Sequence, residues 1–180
     1  MGTDKGLLKT QASTWAQTAV NTMTQLQMPV LLSVNTDQYP HYESVFGTAK
    51  LVNDNATIDA RGPLHGILSI HMQHPAEDLF VLACDMPLME PIILQQLLKY
   101  FETEKADAYV YTNDGAYEPL CGIYTAAALA SILQLLQQGR LLKYSMKYLL
   151  DHINTCSIPV APDQKKYFRN FNAHADLNGL

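Results

Sequence analysis

The segment Leu79-Phe80-Val81-Leu82-Ala83-Cys84-Asp85-Met86-Pro87-Leu88 limits what this chain can become more than any other. Its first five residues are apolar without interruption, the pattern of a central strand covered on both faces. Asp85 follows directly, Pro87 holds the turn, and Pro91 can start a helix. In open α/β sheets, ligands bind in the crevice beyond the carboxyl ends of the strands. An acid placed there can hold Mg²⁺ against nucleotide phosphates. Read alone, Asp85 serves equally well as a cap for the next turn.

The rest of the chain alternates strands with helices. Apolar spacing at Trp15, Ala19, Met23 and Leu26 predicts a helix over 13–27. A strand is expected over 29–34, with Asn35 just past its end, and a short helix near 41–46. The stretch 51–58 is weakly patterned and ends in Ile58-Asp59. Gly62-Pro63 then opens a helix to about residue 73. Strand 79–83, helix 91–104 and strand 108–111 follow. Asn113-Asp114-Gly115 signals a tight hairpin, so 118–124 should run antiparallel to its neighbour. A helix over 125–138 stops at Gly139, and another spans 141–152. Strands over 155–160 and 167–172 and a helix from 174 close the chain. This order implies a three-layer, doubly wound α/β fold, a mostly parallel sheet with a mixed edge.

With 180 residues and 48% hydrophobic content, the chain can bury one core, so a single domain over 1–180 is expected. Its net charge of −5, with both signs interspersed, leaves no basic face for a nucleic-acid polymer. Cys84, Cys121 and Cys156 are odd in number and far apart, which suits reduced thiols in a cytoplasmic protein. No apolar run approaches the ~20 residues of a membrane span, and the polar start does not read as a signal peptide. His71 and His74 read as surface residues, and the six histidines form no metal set.

Taken in order, several motifs resemble those of molybdenum cofactor guanylyltransferases. They are Met1-Gly2-Thr3-Asp4-Lys5-Gly6-Leu7-Leu8, Val34-Asn35, Ile58-Asp59, Gly62-Pro63-Leu64-His65-Gly66, Ala83-Cys84-Asp85-Met86-Pro87-Leu88, Glu118-Pro119-Leu120 and Phe168-Arg169-Asn170-Phe171-Asn172. The resemblance implies a Rossmann-like nucleotidyltransferase fold and transfer of GMP from GTP to molybdopterin, with Mg²⁺ as cofactor. It implies that Lys5 meets the triphosphate and that Asp85 holds the metal. Asn35 and Asp59 would read base or ribose, while Gly62 and Gly66 would let the ligand approach a helix start. Asn170 and Asn172 would face the pterin. Arg140 and Lys143 lie where the family often has basic residues that could meet a molybdopterin phosphate. Without the resemblance, Lys5 reads as a solvated lysine, Asn35 and Asp59 as turn formers, Asn170 and Asn172 as a polar sheet edge, and Arg140 as a solvated helix end.

The family opens with a strand and a loop of the form Leu-Ala-Gly-Gly-x-Ser-x-Arg-Met-Gly-x-Asp-Lys, of which this sequence keeps only the last part. That strand lies centrally in such folds, so its loss would leave ladder groups on both neighbours unpaired. The expectation is therefore an N-terminally incomplete domain, with an apolar strand and Gly-Gly loop upstream. Partners implied by the resemblance are GTP, molybdopterin or the molybdenum cofactor, and molybdoenzymes or cofactor-delivery proteins. No nucleic acid or membrane is expected. The rival readings are a nucleotidyltransferase using CTP or another acceptor, and a non-catalytic protein that binds nucleotide or molybdenum cofactor.

Overall fold

Helices and strands alternate through the computed structural model, which describes residues 4–9 and 13–171. Helix α1 (Trp15–Thr24) starts at Thr14, whose hydroxyl accepts from Gln17 N at 3.2 Å. It ends short of the expected residue 27, where Gln27 turns left-handed at φ 59°. Strand β1 (Leu32–Val34), α2 (Tyr39–Phe46) and β2 (Leu51–Asn53) form the first unit, with β1 and β2 parallel. Then come α3 (Pro63–Gln73), β3 (Leu79–Leu82), α4 (Pro91–Thr103), β4 (Ala108–Asn113) and β5 (Ala116–Tyr124). Helices α5 (Ala126–Gln137) and α6 (Met146–Leu150), strand β6 (Thr155–Pro159) and a 3₁₀ turn (Pro162–Phe168) complete the described chain.

The hairpin forms as its sequence predicts. Asp114 and Gly115 take φ values of 50° and 80°, the paired left-handed conformations of a two-residue turn. Strand β5 pairs antiparallel with β3 on one side and β4 on the other, and β6 adds parallel to β4. The order β3-β5-β4-β6 therefore has β5 alone running against its neighbours. Alternation along β4 splits the core between the two faces. Ala108 and Val110 pack with Leu64, Leu68, Leu129 and Leu150 from α3, α5 and α6. Tyr109 and Tyr111 pack with Ile93, Leu94 and Leu97 of α4 on the other side. Helices thus cover both faces, the three-layer arrangement expected.

Several local expectations change. Strand β3 is not central: it forms the edge of the four-stranded sheet, and all four of its apolar residues are only half-buried. The sheet divides here, with β1 and β2 forming a separate pair. Within 29–34 only Leu32–Val34 forms a ladder, because β2 offers just three residues to pair with. The helix expected over 141–152 shrinks to Met146–Leu150, because Ser145 caps its first turn and Leu141 and Tyr144 reach the core from irregular backbone. Residues 167–171 form no strand; the 3₁₀ turn runs to Phe168, and Phe171 then packs edge-on to Trp15. His71 is 2% exposed rather than on the surface, because it falls on the same helical face as Leu64 and Leu68. The helix expected from residue 174 lies outside the described residues.

Candidate active site

The segment Asp4-Lys5-Gly6 is held by its first side chain. Asp4 caps a 3₁₀ turn (Lys5–Leu7), with Oδ1 accepting from Gly6 N at 3.0 Å. The same oxygen accepts from the Tyr42 hydroxyl at 3.0 Å, and Oδ2 accepts from Gln38 Nε2 at 3.1 Å. Burial, with the Asp4 carboxylate next in weight, pushes the Tyr42 hydroxyl well above the ordinary tyrosine range, so it stays a donor. Helix α2 thereby fixes the backbone that presents Lys5. Asn35 secures the entry to that helix: its Oδ1 accepts from Gln38 N at 2.9 Å, and Gln38 Oε1 accepts from Asn35 N at 3.1 Å.

Asp85 stands beyond the end of β3. Ala83 N donates to Leu120 O at 2.7 Å, and Phe171 N donates to Asp85 O at 3.0 Å, so both β5 and the C-terminal segment hold this turn. Lys5 Nζ lies 3.3 Å from Asp85 Oδ2, with the two side chains 41% and 24% exposed. Cys84 stands beside it. Burial, followed by the charges of Asp85 and Asp4, pushes its thiol up to about 11. Burial also raises the Glu118 carboxyl, with a smaller push from Asp85.

A cavity of about 930 Å³ opens from this pair. Lys5, Asn35, Asp54, Gly62, Gly66 and Asp85 all line it. Gly62 precedes α3 at φ 63°, and Pro63 supplies the first helical residue. Gly66 is needed for space, since a Cβ there would collide with Ser33 Oγ and come 3.6 Å from Asp54 Oδ1. Asp54 follows β2, and its N–H donates to Val34 O at 2.9 Å, which carries the parallel ladder one residue further. His65 Nδ1 is 3.9 Å from Asp54 Oδ2, while its Nε2 contacts Asn55 O at 2.9 Å. Burial raises the Asp54 carboxyl, and His65 partly offsets that.

Other residues singled out in the sequence stand apart from this cavity. Asp59 is exposed and does not line it, whereas Asp54, five positions earlier, does. Arg140 is exposed after α5 and donates to Gln138 Oε1 at 3.1 Å. Lys143 sits over the Tyr148 ring at 5.6 Å. Asn170 is exposed next to Phe171, whose amide reaches Asp85, and Asn172 lies outside the described residues. Among the described residues no three His, Cys, Asp or Glu side chains group as a metal site. A single carboxylate such as Asp85 nonetheless suits Mg²⁺, which keeps several waters and shares its remaining positions with substrate phosphates. Sequence reasoning missed Asp54, Gln38 and Tyr42. The three-residue strand ahead of Asp54 is too short to show a period, and only its pairing with β1 brings the acid to the site.

The fold is that of a doubly wound α/β protein of the nucleotidyltransferase type. The chain belongs to the MobA-like NTP transferase family, whose domain model matches residues 1–153. It is 34% identical over 136 residues to the "Probable molybdenum cofactor guanylyltransferase" of Geobacillus sp. (strain WCH70). That match takes in 73% of this chain and 66% of the relative, just under two thirds of its length. Molybdopterin-guanine dinucleotide biosynthesis protein A from Archaeoglobus fulgidus superposes with a TM-score of 0.78 at 20% identity, over 99% of this chain and 89% of that one. A 4-diphosphocytidyl-2C-methyl-D-erythritol synthase from Anaerococcus prevotii shares the fold at a TM-score of 0.69 and 6% identity, over 98% and 91% of the two chains. Among the described residues, no helix is long and apolar enough to cross a membrane.

Proposed function

We propose that this protein transfers GMP from GTP to molybdopterin, releasing pyrophosphate and forming the guanine dinucleotide cofactor. The observation that carries the reading is the Lys5–Asp85 pair, 3.3 Å apart at one end of a cavity that also takes in the glycine-flanked start of α3. Family membership and the guanylyltransferase named among the relatives support the substrate assignment.

The nucleophile is a terminal phosphate of molybdopterin, already anionic, so the reaction needs positioning and charge neutralisation more than a general base. Lys5 supplies an ammonium that can leave Asp85 for the triphosphate oxygens. Asp85 would hold Mg²⁺, which when bound neutralises phosphate charge. Gly62 and Gly66 keep the start of α3 clear of side chains, so a nucleotide could approach the helix closely there. Asn35 and Asp54, which line the cavity, would take hydrogen bonds from base or ribose, a role the resemblance implied for Asn35 and Asp59. Asn170, next to Phe171 whose amide reaches Asp85, would face the acceptor.

Magnesium-dependent pyrophosphate release, measured with molybdopterin and with GTP or CTP in parallel, tests the reading. Release with GTP that is lost in Asp85→Asn is the expected result. Release with CTP alone would reassign the base, and GTP binding without release under any condition would make the protein a carrier.

A further inference from the structure

Strand β5 breaks its ladder with β4 just where it passes the end of β3. Val110 pairs with Gly122 but Tyr111 with Glu118, so Pro119, Leu120 and Cys121 bulge out on the β5 side. Those residues stay with β3 instead: Leu82 pairs with Cys121, and Ala83 N donates to Leu120 O at 2.7 Å. The bulge is locked in place. Pro119 brings no N–H to a ladder, and its carbonyl accepts from the hydroxyl of the buried Tyr124 at 2.7 Å. Followed past Ala83 and Leu120, the same antiparallel register sets Asp85 opposite Glu118.

Glu118 is half-buried there, and among the described residues its one hydrogen bond comes from Asn113 Nδ2 to Oε1 at 3.3 Å. Burial raises its carboxyl, Asn113 partly offsets that, and the Asp85 charge adds to the rise. An acid drawn from water, near a like charge and met by one neutral donor, costs stability. No lysine, arginine or histidine among the described residues pairs with it. Bulges that re-aim a side chain and acids held at a cost both gather at functional sites.

Asp85 thus joins two regions. The cavity with Lys5 is one, and Glu118, which does not line that cavity, belongs to the other. In phosphoryl transfer the attacking and leaving oxygens stand roughly in line across the phosphorus. With the triphosphate on Lys5, the acceptor therefore comes from the Glu118 end. A carboxylate repels phosphate, so Glu118 meets the part of the acceptor beyond its attacking group. We propose that Glu118 is a specificity-determining residue for the acceptor, whose Oε2 accepts a hydrogen bond from a neutral N–H or O–H donor on the acceptor's organic portion. The inference rests on the reading of molybdopterin as acceptor, whose pterin ring carries N–H donors.

The test measures pyrophosphate release against molybdopterin concentration at saturating GTP and Mg²⁺, beside calorimetric titration of GTP, for the parent, Glu118→Ala and Glu118→Gln. Glu118→Ala should raise the KM for molybdopterin about 10–100-fold, the scale of one hydrogen bond to a charged group. Its affinity for GTP should match the parent's. Glu118→Gln keeps an acceptor oxygen on a side chain of the same shape and should recover part of the loss. An unchanged KM in Glu118→Ala, or GTP affinity falling in step with it, would overturn the proposal, while turnover by the parent would leave the molybdopterin reading standing. A parent that releases no pyrophosphate with molybdopterin would sink that reading instead, and the acceptor role of Glu118 with it.

Discussion

Lys5 Nζ and Asp85 Oδ2 lie 3.3 Å apart although 80 positions separate them in the chain. The contact joins a loop held by α2 to the turn after β3, and both side chains remain partly exposed. Exposed ion pairs contribute little to stability, so this one is better understood as a poised cation and carboxylate. Asp85→Asn and Lys5→Met should each lower pyrophosphate release by about 10²–10³-fold, the scale of losing one preorganised charge contact. Melting temperature should hardly move. A turnover assay beside a thermal melt checks both halves, and a large loss of stability at unchanged activity would contradict the assignment.

Gly66 gives a sharper steric test. An added Cβ collides with Ser33 Oγ and approaches Asp54, so Gly66→Ala should weaken nucleotide binding. Ser33 is exposed and its hydroxyl is the nearest obstacle, so the double variant Gly66→Ala, Ser33→Ala should recover much of the affinity. Calorimetric titration of GTP into the three proteins reads the coupling between the two sites.

His71 predicts acid sensitivity. It is buried, its Nδ1 has no hydrogen-bond partner in the structure, and burial lowers its pKa. A histidine lowered in the folded state contributes stability above the ordinary value of about 6.5 and loses it as pH falls through that value. The unfolded chain then binds the proton that the folded chain resists. His71→Leu should therefore flatten the decline in melting temperature between about pH 6.5 and 5. An unchanged slope would rule out His71 as its source.

Asp54 predicts the opposite dependence. Burial raises its carboxyl, and His65 opposes the shift without cancelling it. Its contribution is thus most favourable below the ordinary carboxylate value and is lost as pH rises through the raised one. Asp54→Asn should melt higher than the parent at pH 7 and show no such advantage near pH 3. The same variant should bind GTP more weakly, since the acid lines the cavity. Paired melts and titrations separate a stability cost retained for binding from a purely structural acid.

The sequence by itself determined most of the elements, though not their extents or the strand expected near the end of the described residues. Period, caps and turn residues act over a few positions, so helix α4, the Asp114-Gly115 hairpin and the placement of Asp85 past a strand were all legible. The Asp4-Lys5-Gly6 and Gly62 to Gly66 motifs were legible too, though only as a resemblance. Tertiary structure decided what those elements meet. It brought Asp54 rather than Asp59 to the cavity, through a three-residue parallel pairing. It tied Asp4 to Tyr42 and Gln38, and it left the apolar strand β3 at the edge of the four-stranded sheet. Apolar patterning records that a strand expects cover but not which strand supplies it, because ladder bonds join backbone groups that are alike at every residue except proline.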